Sequence, residues 1–154
     1  MRSEEINKWI NEGGSLPEDL TQEEKDHLTN LGWSVDVRWY SNGQKWYEHH
    51  WLQGEKHGKW ERWQKDGQKW VEENWLHGKR HGKWKGWHSN GQKRYEDRYL
   101  HGKHHGKWEG WYEDGQKEYE YNFFHGILHG VFKCWDGEGT FNFDEEYLYG
   151  NKIK

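Results

Sequence analysis

The sequence predicts a mainly β protein: an elongated, single-layer antiparallel meander of repeated β-hairpins with a small helical cap at the N-terminus. Three observations carry this. One phrase recurs every 24 residues, so that Gly43, Gly67, Gly91 and Gly115 are evenly spaced, as are Leu52, Leu76, Leu100, Phe124 and Leu148. Each copy carries Asn-Gly or Asp-Gly, the dipeptides that favour tight hairpin turns. Finally, 14 Trp, 9 Tyr and 5 Phe replace the aliphatic residues that a chain only 31% hydrophobic and 32% charged otherwise lacks. Rings bury large areas, so the chain folds around a thin aromatic layer.

The first 33 residues differ from the rest. Ile6, Trp9 and Ile10 follow helical spacing, and Gly13-Gly14 ends that helix. Thr21 with Glu24 forms a capping box that opens a second helix, running to about Asn30 with Leu28 and Leu31 inward and Gly32 as its stop. This segment carries eight acids and three bases, a net charge of −5, whereas the rest of the chain is near neutral. We divide the chain into a helical cap, 1–33, and a repeat ribbon, 34–154. An open sheet edge invites aggregation, so the segment is expected to cap the first edge; the alternative is a separate recognition module carrying the acidic charge.

In the ribbon, Asn42-Gly43, Asp66-Gly67, Asn90-Gly91 and Asp114-Gly115 are expected to be two-residue type I′ turns. Glycine-containing stretches such as His77–Gly82 then form the loops at the other end. With this register Trp63 faces Trp70, Glu61 faces Glu72, and Trp75 covers Gly58. Alternation sorts the side chains onto two faces. One carries an aromatic row: Trp51, Trp60, Trp75, Trp84, Tyr99, Trp108, Phe123, Phe132 and Tyr147. The other carries Trp63, Trp70, Glu61 and Glu72, and its ring row is broken where the Trp46/Trp70 position becomes Arg94 and then Glu118. The first row is the expected spine. The second face is free to vary and is the expected binding surface.

The phrase built from Asn42-Gly43-Gln44-Lys45, Gly58-Lys59-Trp60, Trp63 and Asp66-Gly67-Gln68-Lys69 resembles the MORN repeat variant of bacterial proteins, among them the YwqK-type antitoxins. The resemblance implies a hairpin ribbon that mediates contacts, and for some members the neutralisation of a toxin. Gly130–Phe132, the segment 136–141 and the N-terminal helices depart from the motif.

No catalytic constellation is apparent. A repeated position offers one environment several times, whereas catalysis needs unlike environments at one site. The histidine column His57, His81, His105 and His129 lies on loops roughly 9.6 Å apart, two strand spacings, too far for copies to share a metal ion. These histidines are expected to be tolerated in solvated turns, with no metal or other cofactor bound. Cys134 is the only cysteine and is expected to be packed. The N-terminus has no signal-peptide pattern and no apolar run approaches a membrane span, so a cytoplasmic protein without membrane attachment is expected.

The expected function is therefore binding without catalysis: a module that neutralises a protein partner by occlusion, the partner being a toxin or a defence or nucleic-acid-handling enzyme. The expected anchors are Trp63, Trp70, Trp87, Arg94 and Trp111, with Glu72 and Glu96 supplying charge. The rival is a single-stranded nucleic-acid ribbon using stacked rings and the lysine columns at 45, 69, 93, 117 and 59, 83, 107. Near-neutral charge and the glutamate columns make nucleic acid the weaker choice.

Overall fold

The computed structural model describes residues 1–154. Two helices, α1 (Ser3–Glu12) and α2 (Gln22–Asn30), precede fourteen strands. These are β1 (Trp33–Trp39), β2 (Lys45–Leu52), β3 (Glu55–Trp63), β4 (Lys69–Leu76), β5 (Lys79–Arg80), β6 (Gly82–Trp87), β7 (Lys93–Leu100), β8 (Lys103–His104), β9 (Gly106–Trp111), β10 (Lys117–Phe124), β11 (Ile127–Leu128), β12 (Gly130–Trp135), β13 (Phe141–Leu148) and β14 (Asn151–Lys152). All join one antiparallel sheet, whose neighbours follow chain order. The expected single-layer meander is what forms.

Its two turn types are exchanged relative to the sequence reading. Type I′ geometry needs two successive residues with positive φ. That condition is met at Gln53-Gly54, His77-Gly78, His101-Gly102, His125-Gly126 and Tyr149-Gly150. At Asp66-Gly67 only the glycine is left-handed, with φ +87°. There Gly67 N–H donates to Gln64 O (2.9 Å) and Gln64 N–H to Gln68 O (2.8 Å), closing a three-residue loop. The Asp66 carboxylate accepts from Gln68 N–H at 2.9 Å. The acid or amide is thus selected for its side-chain oxygen, and the glycine for its backbone.

The longer loop also shifts the register. Arg62 pairs with Val71, but Trp63 pairs with Lys69, and Trp70 is the extra residue of a bulge. Trp63 and Trp70 therefore do not face one another, as the two-residue turn had required.

The aromatic row forms on the face expected. Ring centroids are 4.7 Å apart for Trp51–Trp60, 6.1 Å for Trp60–Trp75, 5.1 Å for Trp75–Trp84 and 5.3 Å for Trp84–Tyr99. The row continues through Trp108 to Phe123. Beyond that it breaks: Phe132 stacks instead on Tyr121 and Phe143.

The cap has the helices foreseen. Gly13 ends α1, and Thr21 and Glu24 make the reciprocal capping box. Leu31, however, is exposed. The cap also packs against a sheet face, whereas an edge position was expected. Ile6, Trp9 and Leu28 bury against Leu52, with Leu16, Leu20 and Trp33 around them. Gly14 O accepts from Lys59 N–H at 2.9 Å. The physical reason is area: the cap's rings and aliphatics need an apolar patch, which Leu52 with Trp33, Val35 and Val37 of β1 offers on the face and a strand edge of backbone N–H and C=O groups does not. Gly58 pairs with Trp75 as expected, and Trp9 of the cap also packs on it, its indole occupying the space a Cβ there would need.

Candidate functional site

The face opposite the aromatic row is built of parallel lines of side chains running across the strands. Nearest the three-residue loops, lysine and tryptophan alternate: Lys45, Trp63, Lys69, Trp87, Lys93, Trp111, Lys117, Trp135. The bulge produces this alternation, because it substitutes Lys69 for Trp70 opposite Trp63. Lys45 and Lys69 ammoniums sit 5.2 and 5.8 Å from the Trp63 ring centre, and Lys93 and Lys117 sit 5.5 and 5.8 Å from that of Trp111. Such contacts hold Trp63 and Trp111 upright, each between two cations, whereas Trp87 and Trp135 stand in the line without one.

A carboxylate line runs beside it: Glu48, Glu61, Glu72, then Lys85, then Glu96, Glu109, Glu120, then Lys133 and Asp144. Glu72 is held on both oxygens, by Lys59 at 3.6 Å and Lys69 at 3.0 Å. Glu96 is held likewise by Lys83 at 3.9 Å and Lys93 at 2.8 Å. Burial alone would raise the Glu72 carboxyl, but the Lys69 hydrogen bond and the neighbouring ammoniums offset that and leave it below its ordinary range. The hydrogen bond from Lys93 holds Glu96 down in the same sense.

Of the seven anchors expected from sequence, Trp63, Trp87 and Trp111 lie in one half-buried line, with Glu72 and Glu96 in the line beside it. Trp70 stands apart as the exposed bulge residue, 46% accessible. Arg94 occupies the equivalent bulge position two strands on, where it and Trp111 help line a shallow depression with His88, Tyr112 and Glu118. Sequence reasoning missed the lysines of the Trp line as components of the surface. The column Lys45, Lys69, Lys93 and Lys117 was visible, but its meeting with the Trp column depends on the bulge.

The first end of this face is partly roofed. Ser15, Leu16, Pro17 and Leu20 of the cap form a cleft with Trp33, Lys45, Lys59, Trp63 and Lys69. From Trp87 onward the line is open.

The histidine column has a structural use. His57 Nδ1 accepts from the backbone N–H of His77, His81 Nδ1 from that of His101, and His105 Nδ1 from that of His125, each at 3.2 Å. His129 does the same for Tyr149 at 3.3 Å. Each ring latches the left-handed turn residue of the next repeat, so these histidines are not merely tolerated in solvated turns. The constant spacing of 20 between acceptor and turn residue was the available signal. Asn42 Nδ2 and Asn90 Nδ2 make comparable bonds at the other rim, to Lys65 O and Glu113 O, both at 2.7 Å. No group of His, Cys, Asp or Glu is placed to hold a metal ion.

A single sheet of 24-residue hairpin repeats, with one laddered face left open, is the architecture of a repeat-built binding module. Residues 80–101 and 105–125 each match the MORN repeat variant family model. Two of its repeats thus match the MORN repeat variant, and the copies on either side share their geometry. No curated protein matches the chain. No helix is long and apolar enough to cross a membrane.

Proposed function

We propose that this protein is a non-catalytic binding ribbon that neutralises a protein partner by covering its working surface. The Lys–Trp line carries the reading. It is a strip of half-exposed rings interleaved with lysines on one sheet, a composition typical of interface anchors. The partner class we favour is a toxin or a defence or nucleic-acid-handling enzyme.

The geometry reassigns some roles. Glu72 and Glu96 are engaged by lysines within the sheet, so they set the rings' posture and do not offer free charge. Acidic charge available to a partner lies in the cap, in Glu4, Glu5, Glu12 and Glu23, all exposed. The same ion pairs weigh against a nucleic-acid ribbon, because the lysine columns are neutralised where they stand.

The test is affinity capture from the native host with wild-type protein and a Trp87→Ala/Trp111→Ala variant, followed by reconstitution with the purified partner. The expected result is a complex on size exclusion that suppresses the partner's activity and is lost in the variant. A complex that survives in the variant, or one that leaves the partner fully active, overturns the reading.

A further inference from the structure

Two positions on the carboxylate line carry lysine where every other repeat has an acid: Lys85 on β6 and Lys133 on β12. Lys85 pairs across the strands with Glu72 and Glu96, yet forms no ion pair with either. Both carboxylates are already held on both oxygens by other lysines. Lys133 likewise forms no ion pair with its cross-strand neighbours Glu120 and Asp144. These are less fully engaged: Lys107 at 3.5 Å and Lys117 at 2.8 Å share one oxygen of Glu120, and Lys154 meets one oxygen of Asp144 at 3.6 Å. The face therefore has two surplus cations in an otherwise balanced lattice, each one strand position from a ring of the Lys–Trp line, Trp87 or Trp135.

Their separation is fixed by the fold. From β6 to β12 is four strand steps, so the ammoniums stand roughly 19 Å apart. An extended chain advances about 3.3 Å per residue, so carboxylates six residues apart span the same distance. The chain's own Ser15–Leu20 already lies along the roofed part of this face, beside Lys45, Trp63 and Lys69. The open part continues that track.

We infer that Lys85 and Lys133 form a two-point site for an extended protein segment carrying two acidic side chains about six residues apart, lying across the strands with apolar side chains against Trp87, Trp111 and Trp135. This rests on the protein-binding reading above and gives its partner a chemistry. A peptide fits better than a nucleic-acid strand: the phosphates lying between those that met the two lysines would face Glu96, Glu109 and Glu120.

The probe is a blocked nonapeptide of Val and Thr with Glu at its second and eighth positions, titrated into the full chain by calorimetry and by the indole N–H resonances of Trp87 and Trp135. Saturable binding that moves both resonances and weakens with added salt is expected. Lys85→Glu and Lys133→Glu, which restore the residue type of the other repeats, should each weaken it about tenfold. Replacing both peptide glutamates by Gln, or moving them three residues apart, should do the same. Equal binding of the Gln peptide, indifference to spacing, or full binding by the double variant each overturns the inference, as does tighter binding of a single-stranded dodecanucleotide. If the double variant still captures the native partner while Trp87→Ala/Trp111→Ala does not, this inference falls and the protein-binding reading stands.

Discussion

The two faces of one sheet solve different problems with the same residue. On the aromatic face, tryptophan packs against tryptophan, and Trp60 and Trp84 are almost wholly buried. On the opposite face, tryptophan alternates with lysine and stays half exposed. Cations stand beside rings on both faces: Lys56 lies 4.3 Å from the ring centres of Trp60 and Trp75, and Arg80 4.9 Å from that of Trp84. What separates the roles is the company of other rings. Trp60 and Trp84 each sit between two aromatic neighbours and exclude water. Trp63 and Trp111 have only lysines beside them, stay wet and remain available.

Breaking the aromatic face should have the largest effect. Trp84→Ala is expected to lower stability by about 3–5 kcal/mol, read from denaturant midpoints. A next, smaller loss is expected from His57→Ala, which removes a buried ring and its acceptor for the His77 N–H. We expect about 1–3 kcal/mol, with the amide of His77 exchanging faster. The third effect is a gain that depends on pH. Asp97 lies on the aromatic face with one carboxylate oxygen buried and unpartnered, and burial pushes its carboxyl up to about 7. Because the folded value lies above the unfolded one, the associated stability is complete below about pH 4 and lost as pH rises to about 7. Asp97→Asn should therefore match wild type in acid and melt at a higher temperature above pH 7. An equal shift at both pH values would show that desolvation is not the cause. The smallest effect should be that of Trp87→Ala on the open face, about 1 kcal/mol or less. Equal losses for Trp84→Ala and Trp87→Ala would erase the distinction between the faces.

Asp97 also shows why equivalent positions diverge. One repeat earlier, Glu73 accepts from Trp75 Nε1 at 3.0 Å. In the next copy Tyr99 replaces that tryptophan, and its hydroxyl accepts from Arg80 instead. The shorter acid is left without a donor.

Much of the fold was legible because periodicity is global. A step of 24 residues is enough for strand order and for the spine from Trp51 to Phe123 with no local detail; it does not yield the count of fourteen, because a break after β5, β8 and β11 divides one strand of each of those repeats in two. The candidate face was only half legible. Its rings and acids could be read, but the partner of each ring depends on a bulge, and a bulge depends on whether a glycine turn has two or three residues. Asn-Gly is compatible with both. The backbone donor that each histidine accepts lies 20 residues away, and no local pattern announces it. The cap's place was misjudged because the need to cover an edge was weighed above the need to bury Ile6, Trp9 and Leu28.

The latches connect each repeat only to the next, and the burial they reinforce is unevenly spread. Every fully buried hydrophobic side chain lies at or before Tyr99, and the copies beyond it are lined by half-exposed rings. In such a one-dimensional array stability adds as a sum of nearest-neighbour terms. The ribbon is consequently a graded zipper with a clamped end. Under tension it should peel from the Tyr149 end in steps of one hairpin, each step releasing one histidine latch, with the force rising toward the cap. Refolding should run the other way, each closed hairpin serving as the template on which the next is laid.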